Sequence, residues 1–277
     1  METLRPGIQS VAPSLCALLG LQAPERSEVP APEDLVDANA DQPGSGPYRR
    51  ALVFCPDAIG EHLDGHCPAA ISRVRSSAPF WIGLSASFPP KTPVCFASMF
   101  TGASPSVHGI TRYEKPVIRC DTVFDCAVRS GRRAAIVAVR DSSIDIIFRN
   151  RGIDYFPMPG DREVTGMAGE IMGAGRHDLI VAYQQAYDDA LHESGPFSSA
   201  SLEAVERHAG DFVALVDCAE RYWKGSGWIA AFTPDHGAHE TPDGRGDHGE
   251  DIPADMHVRH YWRFSRGTEQ VWVEGER

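Results

Sequence analysis

A chain of 277 residues with 26 Lys and Arg against 38 Asp and Glu carries a formal charge of −12. That balance argues against a nucleic-acid polymer or an anionic membrane as partner, because both are met by basic faces. The length allows one large α/β domain or two small ones, either able to bury a full core. The seven cysteines are odd in number and contain no C-x-x-C pair, which fits a reducing cytoplasm better than a disulfide framework.

Val11 to Leu21 is apolar but broken by Pro13 and Ser14, with only Arg5 upstream. It reads as a short helix in an N-terminal helical segment, residues 1–23, and not as a signal peptide. No run approaches a membrane span. Residues 24–50 are rich in Pro, Glu, Asp and Gly and read as an irregular linker. Residues 51–277 are left to form the core.

Ala51 to Cys55 is a short apolar run ending in Pro56-Asp57, the pattern of a buried parallel strand with a carboxylate at its end. Ala134 to Val139 and Trp228 to Thr233 look similar, and the latter runs into Pro234-Asp235-His236-Gly237. Helical patterns are expected at Thr122–Gly131, Glu163–Gly173, His177–Ser194 and Ser199–Lys224. This alternation predicts an α/β fold, with a mostly parallel central sheet and helices on both faces. Such sheets bind ligands beyond the carboxyl ends of their strands, where Asp57, Thr92, Asp235 and His236 would fall.

Thr92 ends the Pro-rich turn Phe88-Pro89-Pro90 and opens a compact run that closes at Thr101-Gly102. A threonine at the mouth of a helix meets free N–H groups and a dipole that favour an anion. It can attack phosphorus if other groups lower its pKa. Asp188 and His192, four apart on one helix face, could share a metal, with Asp189 as the register alternative to Asp188. Gly246-Asp247-His248-Gly249 presents a further histidine between glycines. Carboxylates mixed with imidazoles suit zinc, manganese or iron better than calcium. Asp57, Asp188, His192, Asp235, His236 and His248 divide into two three-ligand sites. Two metals about 4 Å apart can clamp the attacking and leaving oxygens of a phosphoryl transfer.

This constellation resembles the alkaline phosphatase superfamily, in particular its nucleotide pyrophosphatase/phosphodiesterase and phosphopentomutase-like branches, from about Ala51 to Val258. Thr92 matches the family nucleophile and is followed by Gly102, Pro105 and His108-Gly109-Ile110. Asp57 matches the aspartate that ends the first strand. The run Tyr187 to Pro196 resembles the D-x-x-x-H-x-x-G-P segment, Asp235-His236-Gly237 matches D-H-G, and His248 takes the place of the last histidine. The resemblance implies one divalent ion on Asp57, Thr92, Asp235 and His236 and a second on Asp188, His192 and His248, with zinc ahead of manganese or iron. It implies a hydrolase of small phosphate esters, mono- or diesters of nucleotide or phosphonate type, acting through a phosphothreonine, and the cysteine usage places it in the cytoplasm.

Two other readings compete. A phosphomutase-like transferase would need a large cap domain, for which the stretch between Thr92 and Asp188 leaves little room. A non-catalytic, metal-stabilised binding protein would be favoured by missing ligands, yet all seven positions are filled. A sulfatase is weaker, since it needs Cys or Ser where Thr92 stands and Arg where Phe96 stands. Phosphodiesterase relatives carry an asparagine where this chain has Tyr113, beside Arg112, so one of these two is expected to hold the phosphate. His239 and His257, near the metal loop, are candidate substrate contacts. His62, His66, His177, His208 and His260 read as structural or solvated, and Cys95 as packing. Ser10 to Gly20 resembles a helix that family members carry near the C-terminus, which suggests a rearranged chain order.

Overall fold

The computed structural model describes residues 5–42 and 46–267. The first half holds α1 (Val11–Leu19), α2 (Glu33–Ala40), β1 (Arg50–Pro56), α3 (Pro68–Ser77), β2 (Phe80–Ser85), α4 (Thr92–Thr101), α5 (Pro105–His108) and α6 (Val123–Arg129). There follow β3 (Ala134–Val139), α7 (Ser143–Ile147), β4 (Asp154–Met158), α8 (Asp161–Ala174), β5 (Leu179–Gln184) and α9 (Ala186–Ser194). The last elements are α10 (Ser199–Tyr222), β6 (Trp228–Phe232), β7 (His239–Glu240), β8 (Gly246–Asp247), α11 (Pro253–Met256) and β9 (His257–Ser265).

Seven strands form one sheet in the order β2-β9-β6-β1-β5-β3-β4. β1 pairs in parallel with β5 and β6, and β3 with β4 and β5. β9 alone of the seven runs antiparallel, between β2 and β6. The expected mostly parallel α/β sheet is therefore what the chain forms. Every residue of β3, β5 and β6 is buried, as strands covered on both faces must be. One helical layer joins α3, α8, α9 and α10, and the other joins α1, α4, α6 and α7. No helix among the described residues is long and apolar enough to cross a membrane.

Three expectations need correction. The run His177–Ser194 is not one helix: it divides into β5 and α9. Leu179 to Tyr183 is a continuous apolar run, and pairing with β1 on one side and β3 on the other overrides its helical spacing. Residues 24–50 are not irregular throughout. Pro32 stands at the N-cap of α2, Glu33 and Asp34 fill its acidic first turn, and Leu35 docks it in the core. Finally, α1 contributes Val11, Leu15 and Leu19 to the same core as the sheet and packs against α4 and α6. Pro13 does not break α1 because it lies in the first turn, where its missing N–H has no helical acceptor to serve.

Candidate active site

Loops at the carboxyl ends of β1, β5 and β6 bring six of the expected ligands into two clusters. In the first, Asp57, Asp235 and His236 each offer an atom within 4.8 Å of the others. All three are buried. Tyr183 donates its phenol O–H to Asp57 Oδ2, and Ala58 N–H donates to Asp235 Oδ1 at 3.2 Å. His236 Nδ1 faces the Gly237 carbonyl at 3.0 Å. A carbonyl only accepts, so Nδ1 carries the proton and Nε2 keeps a lone pair. That Nε2 lies 3.5 Å from Asp57 Oδ1 and 3.3 Å from Asp235 Oδ2. Gly237 is required by space: a Cβ there would overlap the Ala254 carbonyl oxygen.

The second cluster joins Asp188 and His192 of α9 to His248, again within 4.8 Å. His192 Nδ1 faces Gly246 O at 3.0 Å, and His248 Nδ1 faces Pro90 O at 2.8 Å. Their Nε2 atoms then converge on Asp188 Oδ1, at 3.4 Å and 3.3 Å. Gly246 lets the loop lie directly on α9, since a Cβ would come within 2.8 Å of the Leu191 carbonyl oxygen. The rings of His236 and His248 stack with centroids 4.0 Å apart, so the two clusters adjoin.

Thr92 is the first residue of α4 and is buried. Its Oγ1 lies 3.5 Å from both Asp57 Oδ1 and His236 Nε2. All seven residues expected to share the centre therefore lie together.

The side chains present fit divalent cations. Asp188 Oδ1 and Asp235 Oδ2 are buried without a hydrogen-bond donor, and the histidines around them offer lone pairs instead of protons. Burial and the facing carboxylates push Asp57 and Asp235 well above the usual carboxylate range. Burial likewise pushes the His236 imidazole well down. Buried acceptors without donors are costly alone and favourable around a cation. Three nitrogen and oxygen ligands per cluster, with room for one more, is the donor set of zinc-like catalytic ions.

The remaining expected contacts separate. Tyr113 lines a mouth cavity of about 120 Å³ together with Asp57, Thr92 and Asp188. Arg112 does not line it; its side chain is 79% exposed and pairs with Glu114 at 3.0 Å. His239 Nδ1 bonds Asp255 Oδ1 at 2.8 Å, and His257 opens β9 opposite Ser85. Neither histidine lines the cavity, and Asp189 sits on its rim outside the cluster. Lys115, Arg140, Asp141, Ser142, Ser143, Tyr183 and Gln185 complete the lining and were not expected. Arg140 had a readable signal, because it directly follows the expected strand Ala134–Val139 at the ligand-binding edge of the sheet. Tyr183 and Gln185 lay hidden in the stretch read as helix.

The fold is that of the alkaline phosphatase superfamily. Within it the chain belongs to the type I phosphodiesterase / nucleotide pyrophosphatase family, whose sequence pattern matches residues 76–275. β1 and Asp57 precede the matched span. Phosphonoacetate hydrolase from Sinorhizobium meliloti 1021, solved in complex with phosphonoformate, superposes with a TM-score of 0.55 at 17% identity, over 72% of this chain and 60% of that one. An inactive murine ectonucleotide pyrophosphatase / phosphodiesterase 5 in complex with AMP gives 0.56 at 15% identity, over 70% and 59%. The chain thus spans about three fifths of the length of these structures. No curated protein sequence matches it.

Proposed function

We propose that this protein is a metal-dependent phosphoryl hydrolase that cleaves small phosphate or phosphonate esters through a phosphothreonine at Thr92. The observation that carries the reading is the position of Thr92 Oγ1, 3.5 Å from both Asp57 and His236 at the N-terminus of α4. Asp57, Thr92, Asp235 and His236 would hold one divalent ion, and Asp188, His192 and His248 the other. When bound, such a pair supplies the positive charge that lowers the pKa of a hydroxyl and stabilises a leaving oxygen.

The chain's own groups do the rest. Burial in the first turn of α4 aims Thr92 Oγ1 at the cavity, and the helix N-terminus favours the phosphoryl oxygens. Oγ1 gives up its proton to solvent and bonds to phosphorus as the bond to the leaving group breaks, and the leaving group takes up a proton from solvent. Water then attacks the same phosphorus, the bond to Oγ1 breaks, a proton of that water passes to Oγ1, and phosphate is released. Tyr113 stands at the mouth as a hydrogen-bond donor to a phosphoryl oxygen.

The substrate class follows from the mouth. A cavity of about 120 Å³ suits a small leaving group. Lys115 and Arg140 line it without a carboxylate partner among the described residues, and Lys115 Nζ donates only to the Asp141 carbonyl, at 2.9 Å. With the Asp57 and Asp188 carboxylates facing the metal clusters, Lys115 and Arg140, neither in direct ion pair with the neighbouring Asp141 or Asp189, are the groups that would meet a second negative charge on the substrate. The phosphonoformate and AMP held by the structural neighbours support this class. Seven free cysteines, five of them buried, support work in a reducing compartment such as the cytoplasm.

The test is turnover of nitrophenyl phosphate and bis-nitrophenyl phosphate with zinc, manganese or magnesium, followed by acid quench and peptide mass analysis. The expected result is metal-dependent release of nitrophenol with a phosphoryl adduct on the Thr92 peptide. Turnover without an adduct, undiminished in Thr92→Ala, would overturn the covalent route.

A further inference from the structure

Helix α9 carries two of the expected ligands, yet its own sequence does not start it well. Its N-cap residue, Gln185, makes no side-chain cap. The first N–H groups of a helix have no partner within it, and here three in succession are met by other helices. Asp161, the first residue of α8, accepts from Gln185 N–H through Oδ1 and from Ala186 N–H through Oδ2, both at 3.0 Å. His208, in the middle of α10, accepts from Tyr187 N–H through Nε2 at 3.2 Å.

Both acceptors are themselves held. His208 is buried and donates from Nδ1 to Gln184 Oε1 at 2.7 Å. The Gln184 amide then donates to Asp211 Oδ2 at 2.8 Å, to Thr165 Oγ1 at 2.7 Å and to the Asp161 carbonyl at 2.9 Å. Neither Asp161 nor His208 lines the cavity or belongs to a ligand cluster. The residue that follows the three capped N–H groups is Asp188, and His192 lies one turn further on the same face.

We infer that Asp161 and His208 are positioning residues for the α9 half of the metal centre, acting through the backbone of its first turn. The inference rests on the metal-dependent reading above. With α8 and α10 gripping residues 185–187, the height and rotation of α9 against His248 are set before any ion arrives. Asp161 also places a negative charge at the helix N-terminus, where the dipole favours it. A cap serving stability alone would leave the relative affinities of the two ions unchanged.

That difference is measurable on the metal-free, full-length chain. Zinc is titrated against a competing chelator for the wild type, Asp161→Asn, His208→Gln and His192→Ala, with melting of each metal-free variant recorded alongside. The wild type should bind two ions. His192→Ala marks which binding step belongs to α9. Asp161→Asn should weaken that same step by roughly 10- to 100-fold, as loss of an outer-shell partner does, and leave the other step unchanged. His208→Gln, which restores an acceptor near Nε2, should weaken it less. If Asp161→Asn does not fold, His208→Leu replaces it, with His208→Gln as its rescue. Equal weakening of both steps, or lower melting with both steps intact, would overturn the inference. A wild-type chain that takes up no zinc would instead overturn the metal-dependent reading and this inference with it.

Discussion

Nε2 of His192 faces Nε2 of His248 across 3.2 Å. Each ring is fixed by a carbonyl at its Nδ1, Gly246 O for one and Pro90 O for the other, so neither Nε2 carries a proton and two lone pairs oppose each other. A cation between them and Asp188 removes that conflict. Stripping metal with a chelator should therefore lower the melting temperature, and zinc should restore it. Binding to the native state at 100 times Kd adds about 2.7 kcal/mol per ion, several degrees in calorimetry. Identical melting with and without zinc would exclude a metal site here.

Thr92→Ala should cost at least about 10³-fold in kcat, as loss of a nucleophile does. Its melting temperature should stay close to wild type, because only a hydroxyl and a methyl are removed at the first turn of α4. Thr92→Ser should keep part of the activity and the phosphoryl adduct. Activity in Thr92→Ala near the wild-type level would move the attack to water.

Tyr113 and Arg112 are neighbours in sequence with opposite surroundings, one lining the cavity and the other paired with Glu114 in solvent. Tyr113→Phe should lower kcat/KM by roughly 10- to 100-fold if its O–H meets the developing oxyanion. Arg112→Ala should change it less than about twofold, the usual reach of an exposed ion pair. The reverse ranking would show that the loop from residue 111 to 117 closes differently on substrate.

His108 gives a pH dependence away from the centre. Ile110 N–H donates to its Nδ1 at 3.2 Å, and its Nε2 lies 3.0 Å from Ser98 Oγ. Burial pushes its pKa down to about 4 from 6.5. The folded state thus resists a proton that the unfolded chain accepts, and stability should fall as pH drops from about 6.5 to 4, then level off. Urea midpoints of metal-free protein across that range would show the slope. His62, His208 and His260 are pushed down to about 4 by burial in the same way, so His108→Gln should make the slope shallower by its share, and an unchanged slope would mean that the other buried groups account for all of it.

The two clusters of expected ligands were legible because their members stand where a local pattern ends. Asp57, Asp235 and His236 follow strands that read as uniformly apolar, and Asp188 and His192 share a helical face by spacing alone. Where a side chain works through backbone, that kind of signal vanishes. Asp161 and His208 receive N–H groups, which every residue but proline offers, so nothing near either one marks its partner. β5 was missed because an apolar run without polar punctuation reads as helix or strand until its neighbours are known. The separation of Tyr113 from Arg112 depends on how one loop turns, which spacing does not specify.

The placement of β9 between β2 and β6 bears on how the nascent chain matures. A ribosome finishes Ser85 long before it reaches His257, and among the described residues β9 is the one strand of the sheet that β2 pairs with, a single bridge from Gly7 to Ser85 apart. The parallel block of β6, β1, β5, β3 and β4 can assemble while β2 waits on its tether with most of its backbone groups unmet, Ser85 N–H being met by Pro6 O. Until β9 emerges, both β2 and β6 present open edges to other chains. A ribosome stalled ahead of His257 would therefore yield a sticky, incomplete sheet, and chaperone demand should peak just before β9 is made.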